Sequence, residues 1–179
     1  LICDEIDINV RELISISNNH PRVNILQPSC GVGGHCIAVD PWFIADQFPS
    51  KTSLIQASRK INDNKKDWVV NKIKETINQF QKNKNREPLI GFMGISFKPN
   101  VEDTRESPAL YIAQTIARNY KSVFICEPNL KIYKGLVLKN KKYILENCDL
   151  IVLLVAHKEF MSKDFEKKFV LDFCGIIKN

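Results

Sequence analysis

The chain has 179 residues, of which 44% are hydrophobic and 26% charged, and carries a formal net charge of +6. This balance excludes a disordered or low-complexity chain. The longest wholly apolar run, residues 150–156, is seven residues long and far too short to cross a bilayer. The positive charge suits a phosphorylated ligand or a nucleic acid, and equally a solvated lysine-rich surface, because Lys and Asn are spread along the chain. No basic stripe interleaved with aromatics is present, so no nucleic-acid partner is expected. The length suffices for one domain, or for a small helical unit followed by a compact α/β unit. The first residues contain no initiator Met and no basic leader, and read as the interior of a helix, so a longer protein is expected to contain them. There are six cysteines but no CxxC pair. Reduced thiols are expected rather than a disulfide framework. Cys30, His35 and Cys36 lack a fourth ligand at zinc spacing, and no metal is expected.

In chain order, residues 1–6 read as the end of a helix, with Ile2 and Ile6 four apart. A short helix over residues 10–17 places Val10, Leu13, Ile14 and Ser17 on one face. His20-Pro21 closes it, because a residue before proline avoids the helical region. Residues 24–36 form a loop containing Pro28, Gly31, Gly33 and Gly34. Asp40-Pro41 reads as the N-cap and first position of a helix that continues into Trp42, Phe43 and Ile44. A long helix is predicted from Lys51 or Thr52 to about Gln81, with Val69, Ile73, Ile77 and Phe80 as its apolar stripe. The polar residues 82–88 read as a linker.

Beyond the linker the pattern changes. Residues 89–94 predict a buried strand, Ser107-Pro108 caps a helix whose face includes Leu110, Ala113, Ile116 and Ala117, and residues 122–126 predict a second strand. Glu127-Pro128-Asn129 reads as a turn. Residues 149–156, nearly continuous in apolar side chains, predict a strand covered on both faces, and residues 169–173 a fourth. The fold expected is therefore α/β: a helical central region over 1–86, then a Rossmann-like doubly wound parallel sheet over 87–179. Ligands in such sheets lie beyond the carboxyl ends of the strands, which puts the loop of residues 94–105 at a binding edge.

Two segments carry candidate chemistry. In the first, three glycines in four positions, Gly31, Gly33 and Gly34, precede Cys36. Glycines there allow backbone shapes that other residues resist and let a substrate approach the main chain. A cysteine just before a helix start feels the positive end of the helix dipole. The same pattern also suits a glycine-rich turn beside a buried, inert cysteine. Neither glycine cluster fits the GxGxxG dinucleotide fingerprint. In the second segment, Lys98 and Arg105 bring a point charge and a planar fork to the sheet edge, suited to phosphate oxygens. Ordinary loop ion pairs with Glu102, Asp103 and Glu106 account for them equally well.

Gly33-Gly34-His35-Cys36-Ile37-Ala38-Val39-Asp40-Pro41 and Ser96-Phe97-Lys98-Pro99-Asn100-Val101-Glu102-Asp103-Thr104-Arg105 resemble two signature segments of the UDP-glucose/GDP-mannose dehydrogenase family. The stretch from His20-Pro21-Arg22 to Gln27 is similar to the branch acting on UDP-N-acetylmannosamine. The resemblance covers most of the chain and weakens after Pro128. It implies an N-terminal NAD domain, a central helical dimerisation region and a C-terminal Rossmann-like domain for the sugar nucleotide, of which this sequence matches the last two. It implies oxidation of the sugar C6 alcohol to a carboxylate with NAD as cofactor and no metal, in a cytoplasmic homodimer without a membrane partner. Cys36 falls on the nucleophile and Asp40 on an aspartate assisting water and proton transfers, although helix capping also explains Asp40. His20, Arg22, Gly33, Phe97 and Lys98 match UDP-sugar contacts, Arg22 reaching the partner subunit's site, and Arg105 matches a contact to NAD. His35 stands where other branches carry serine and is expected near the substrate. Ser29-Cys30 departs from the Gly-Pro of the family, leaving a second thiol beside the loop. The family's catalytic lysine and asparagine belong upstream of Leu1, so these 179 residues alone are expected to be inactive. A non-catalytic UDP-sugar-binding and dimerisation module is the alternative.

Overall fold

The computed structural model describes residues 1–165 and 169–177. Among these residues four short strands, β1 (Ile90–Met93), β2 (Val123–Cys126), β3 (Leu150–Leu153) and β4 (Phe169–Asp172), form one sheet in the order β2-β1-β3-β4. Every pairing is parallel, with Ile90 opposite both Val123 and Leu150, and Leu150 opposite Phe169. The chain runs outward from β1 to β2, then returns past β1 to β3. The order therefore reverses between β1 and β3, which opens a crevice at their carboxyl ends. The four residues of β1 and of β3 are all buried, as expected of strands covered on both faces. The third strand ends sooner than the apolar run, because the N–H groups of Leu154 and Val155 both turn onto the Met93 carbonyl.

Among the described residues there are six helices: α1 (Ile2–Glu5), α2 (Val10–Ser17), α3 (Asp40–Gln47), α4 (Ser53–Lys84), α5 (Pro108–Asn119) and α6 (Lys141–Asn147). Short 3-10 turns lie at Pro49–Lys51, Lys158–Phe160 and Lys163–Phe165. Ser107 accepts from the Leu110 N–H at the start of α5 and Asn140 from the Tyr143 N–H at the start of α6. The buried line of α5 is Ala109, Ile112, Ala113 and Ile116, with Leu110 and Ala117 packing at its margins. With Val69, Val70, Ile73 and Ile77 of α4 it covers one face of the sheet. On the other face, Ile144 and Cys148 meet Met93, Ile151 and Leu153.

The long helix runs three residues past the predicted end. Lys82 and Lys84 suit the negative end of the helix dipole, and Asn85 supplies the left-handed cap at φ 53°. The connection that follows is tied down. Both Arg86 Nη groups donate to the Asp149 carboxylate at 2.7 Å, and the Leu89 N–H donates to the same group at 2.8 Å. The first half of the chain is less covered: in α2 only Ile14 is buried, while Leu13, Phe43, Ile44, Leu54 and Ile61 are exposed.

Candidate active site

The glycine-rich segment is anchored at both ends. Cys30 is buried in the core beside the sheet, and its thiol donates to the Leu154 carbonyl at 3.6 Å. Burial pushes its pKa up to about 12, so this departure from the family pattern is a packed, protonated thiol. Val32 is then gripped by Asn62 of α4, whose Oδ1 accepts from the Val32 N–H at 2.7 Å and whose Nδ2 donates to the Val32 carbonyl at 3.0 Å. Two residues later the chain presses against the second signature segment. A Cβ on Gly33 would collide with the Glu106 carbonyl oxygen, and one on Gly34, at φ 92°, would lie 2.8 Å from the Phe97 ring. The Gly34 N–H donates to the Arg105 carbonyl at 3.2 Å. Only glycine permits this approach of two backbones.

Past this contact the chain emerges into solvent. His35 and Cys36 are exposed, and the Cys36 carbonyl accepts from the N–H groups of Val39 and Asp40 at 3.0 and 2.8 Å. This turn brings Asp40 into helical conformation, so the helix starts one residue earlier than expected. Val39 is the N-cap, and no side chain caps the helix. Asp40 is therefore not the cap, and its exposed carboxylate lines the same cleft as Cys36. The cleft, of about 750 Å³, is otherwise mostly apolar, with Val32, Ile37, Ile44, Leu54 and Ile55 in its walls.

His35 bridges the two segments. Its ring stands edge-on to Phe97, with centroids 6.4 Å apart. Its Nδ1 accepts from Arg105 Nη2 at 3.3 Å, which assigns the remaining ring proton to Nε2. Arg105 is fixed by Asp103, with Nη2 donating at 2.6 Å and Nε at 3.0 Å. These bonds hold the Asp103 carboxyl down at about 2. They also raise the Arg105 guanidinium above its usual range, with a smaller contribution from nearby Cys36. Arg105 Nη1 makes no hydrogen bond among the described residues, leaving one edge of the fork open. Lys98 is exposed, sits 5.3 Å over the Phe97 ring and forms no ion pair among the described residues. Loop ion pairing thus accounts for Arg105 but not for Lys98.

The loop carrying Phe97 and Lys98 stands on a buried polar network that the sequence did not reveal. Glu127 Oε2 accepts from the N–H groups of Ile95 and Ser96 at 2.8 and 3.1 Å. His157 Nδ1 accepts from the Asn100 N–H at 2.9 Å, so the proton sits on Nε2, between Glu127 Oε2 at 3.1 Å and Ser96 Oγ at 3.2 Å. Ser96 Oγ in turn donates to the Lys98 carbonyl at 2.8 Å, and Asn100 Oδ1 accepts from the Lys158 N–H at 2.9 Å. The side chains of Glu127 and His157 are fully buried. Burial alone would raise the Glu127 pKa, but the bonds from His157 and the Ile95 N–H outweigh it and leave it lowered. Glu127 follows β2 and His157 follows β3, so residues from both neighbours of β1 secure the loop that leaves β1. A polar residue just past the end of each strand was the available signal.

His20 and Arg22 lie elsewhere, on the turn after α2. The Arg22 N–H donates to His20 Nδ1 at 3.2 Å, and Asn18 clamps Ile25 through its N–H and carbonyl. Both are exposed, and among the described residues no hydrogen bond, ion pair or ring contact joins them to Cys36 or to residues 94–107. Nor is there a group of three His, Cys, Asp or Glu residues able to hold a metal, or a helix long and apolar enough to cross a membrane, among the described residues.

Comparison with known proteins bears on both halves of this site. The UDP binding domain of the UDP-glucose/GDP-mannose dehydrogenase family matches residues 91–179, and the central domain of the same family matches residues 1–64. The chain is similar to the UDP-N-acetyl-D-mannosamine dehydrogenase of Campylobacter jejuni, at 46% identity over 97% of this chain and 43% of that protein. It is also similar to the NDP-N-acetyl-D-galactosaminuronic acid dehydrogenase of Ralstonia nicotianae, at 45% identity over 98% of this chain and 42% of that protein. Among solved structures, the UDP-D-ManNAc dehydrogenase of Pyrococcus horikoshii superposes with a TM-score of 0.83 at 29% identity, over 99% of this chain and 43% of that one. A derivative structure of the UDP-N-acetyl-mannosamine dehydrogenase of Staphylococcus aureus gives 0.80 at 33% identity, over the same shares. The chain spans less than half the length of the curated relatives it matches.

Proposed function

Because the chain belongs to the UDP-glucose/GDP-mannose dehydrogenase family, we propose that it supplies the catalytic thiol and the sugar-nucleotide site of a longer NAD-dependent UDP-sugar 6-dehydrogenase. In this reading residues 1–86 present Cys36 and residues 87–179 hold the nucleotide. The substrate is UDP-N-acetyl-D-mannosamine, oxidised to the corresponding uronate in two hydride transfers. The observation that carries the reading is the clasp of the two segments: the Gly34 N–H on the Arg105 carbonyl, and His35 between Phe97 and Arg105, with Cys36 exposed next to them.

NAD, when bound, supplies the hydride acceptor, and the open Nη1 edge of Arg105 beside Cys36 is this chain's contribution to holding it. Cys36 adds to the C6 aldehyde as a thiohemiacetal. Loss of the remaining C6 hydride leaves a thioester, and water releases the carboxylate and regenerates the thiol. Asp40, which lines the same cleft, takes a proton from that water in this reading. Lys98 lies against the phosphates, and Phe97 and His35 wall the sugar. The Asn62 grip on Val32 keeps the Cys36 thiol in place through the cycle. Arg22, away from this cluster in its own chain, is assigned to the site of a second copy in a homodimer, an arrangement that the uncovered apolar residues around α3 favour.

Calorimetric titration of the chain with UDP tests the nucleotide half of the proposal. Lys98→Ala is expected to weaken binding by about tenfold or more, the worth of one charge-assisted hydrogen bond. Unchanged affinity would remove the phosphates from this loop.

A further inference from the structure

Arg59 of α4 carries the one buried side-chain nitrogen or oxygen without a hydrogen-bond partner among the described residues. The residue is 7% exposed, yet none of its guanidinium N–H groups makes a hydrogen bond among the described residues, and its Nε is buried without a partner. Its one charge contact is long: Nη2 lies 3.7 Å from Asp63 Oδ1, and Lys66 Nζ shares that oxygen at 3.5 Å. One half-exposed carboxylate therefore faces two cations, and positive charge is left over. A guanidinium with its Nε buried and unpartnered and only one long ion pair at Nη2 is costly unless something completes it.

The position of Arg59 indicates what does. It forms part of the wall between two clefts, the Cys36 cleft and a smaller, more polar one of about 180 Å³ lined by Lys66, Thr104, Ser107 and Tyr111. Asn62, one turn along α4, is the residue that grips the Cys36 loop, so the orphan cation and the thiol stand on the same stretch of helix. Carboxylates are near, Asp40 in the first cleft and Glu106 in the second, but neither bonds to it. We propose that Arg59 is an oxyanion anchor: it receives a phosphate or carboxylate oxygen of the ligand that fills the cleft beside Cys36. The planar fork suits such an oxygen pair, and the apolar walls strengthen the attraction. The proposal rests on the reading of that cleft as the sugar-nucleotide site, and within it two oxyanions qualify: the phosphates of the nucleotide and the carboxylate of the oxidised sugar.

The test compares the full chain with Arg59→Met and Arg59→Lys. Three probes are titrated by calorimetry and by thermal shift: UDP-N-acetylmannosamine, its 6-carboxylate and inorganic pyrophosphate. Arg59→Met is expected to fold with an unchanged or higher Tm, since it removes a buried unpartnered Nε and gives up only one long ion pair with Asp63, and Arg59→Lys serves if it does not. A tenfold or greater loss of affinity for all three probes identifies the phosphates. A loss confined to the carboxylated sugar identifies the product carboxylate. If wild type binds neither sugar nucleotide but pyrophosphate raises its Tm and not that of Arg59→Met, the anchor stands and the UDP-sugar reading falls. Equal affinity of wild type and both variants for every probe overturns the proposal and returns Arg59 to a protein contact.

Discussion

Cys36→Ala in the longer dehydrogenase that we propose is expected to lower kcat by roughly 10⁴-fold or more, the scale seen when an enzyme loses its covalent nucleophile. The same substitution is expected to leave folding and UDP affinity nearly untouched. Cys36 is exposed and its sulfur makes no hydrogen bond among the described residues, so the methyl group that replaces it breaks no packing. Surface changes of that kind fall within about 0.5 kcal/mol. The contrast is the informative part: steady-state turnover collapses while the Tm and the UDP titration stay put. Cys30→Ala should behave in the opposite way. It empties a buried site 3.6 Å from the Leu154 carbonyl and costs stability without touching the chemistry.

The second large effect lies under the loop that carries Phe97 and Lys98. Glu127→Ala is expected to destabilise the fold by about 3–5 kcal/mol, because it strips the partner from buried His157 and from the N–H groups of Ile95 and Ser96. For a chain of this size that is a fall in Tm of about 10 °C. The pH dependence carries a sign. Glu127 has its pKa lowered from 4.5 in the fold, so its contribution is present above pH 4.5 and is lost as the pH falls through the folded value. Glu127→Gln, which keeps the shape but not the charge, should therefore flatten the acid limb of the stability curve. Thermal melts of wild type and Glu127→Gln between pH 7 and pH 3 check this. Parallel curves would mean that the carboxylate is not the group that matters. Because the network ends on the Lys98 carbonyl, any Glu127→Gln protein that remains folded should also bind UDP more weakly.

Much of this was legible in the chain itself. The strands announced themselves as short apolar runs, and the turn from Glu127 to Asn129 marked where β2 stops. The two signature segments pointed to the pair of loops that meet through Gly34, His35, Phe97 and Arg105. What periodicity does not encode is which side chain reaches across to which backbone. Glu127 read as a turn residue, yet it caps the N–H groups of a loop more than thirty positions earlier. Asn62 looked like one more polar position on a helix, yet it holds Val32 thirty residues away. Asp40 read as a helix cap because Asp-Pro so often is one, whereas a turn closed on the Cys36 carbonyl had already started the helix. Arg59 was invisible for a different reason: a lysine-rich helix hides one arginine that happens to face inward.

The chemistry proposed for Cys36 requires a carbon–sulfur bond between the sugar and that residue. Acid quenching of the longer enzyme during turnover of UDP-N-acetylmannosamine with NAD, followed by peptide mass mapping, measures it directly. The account predicts that the peptide containing Cys36 carries the mass of the sugar nucleotide as an acyl adduct, and that peptides containing Cys3, Cys30 and Cys174 do not. Full turnover with every cysteine peptide unmodified, or an adduct on a different residue, would contradict it.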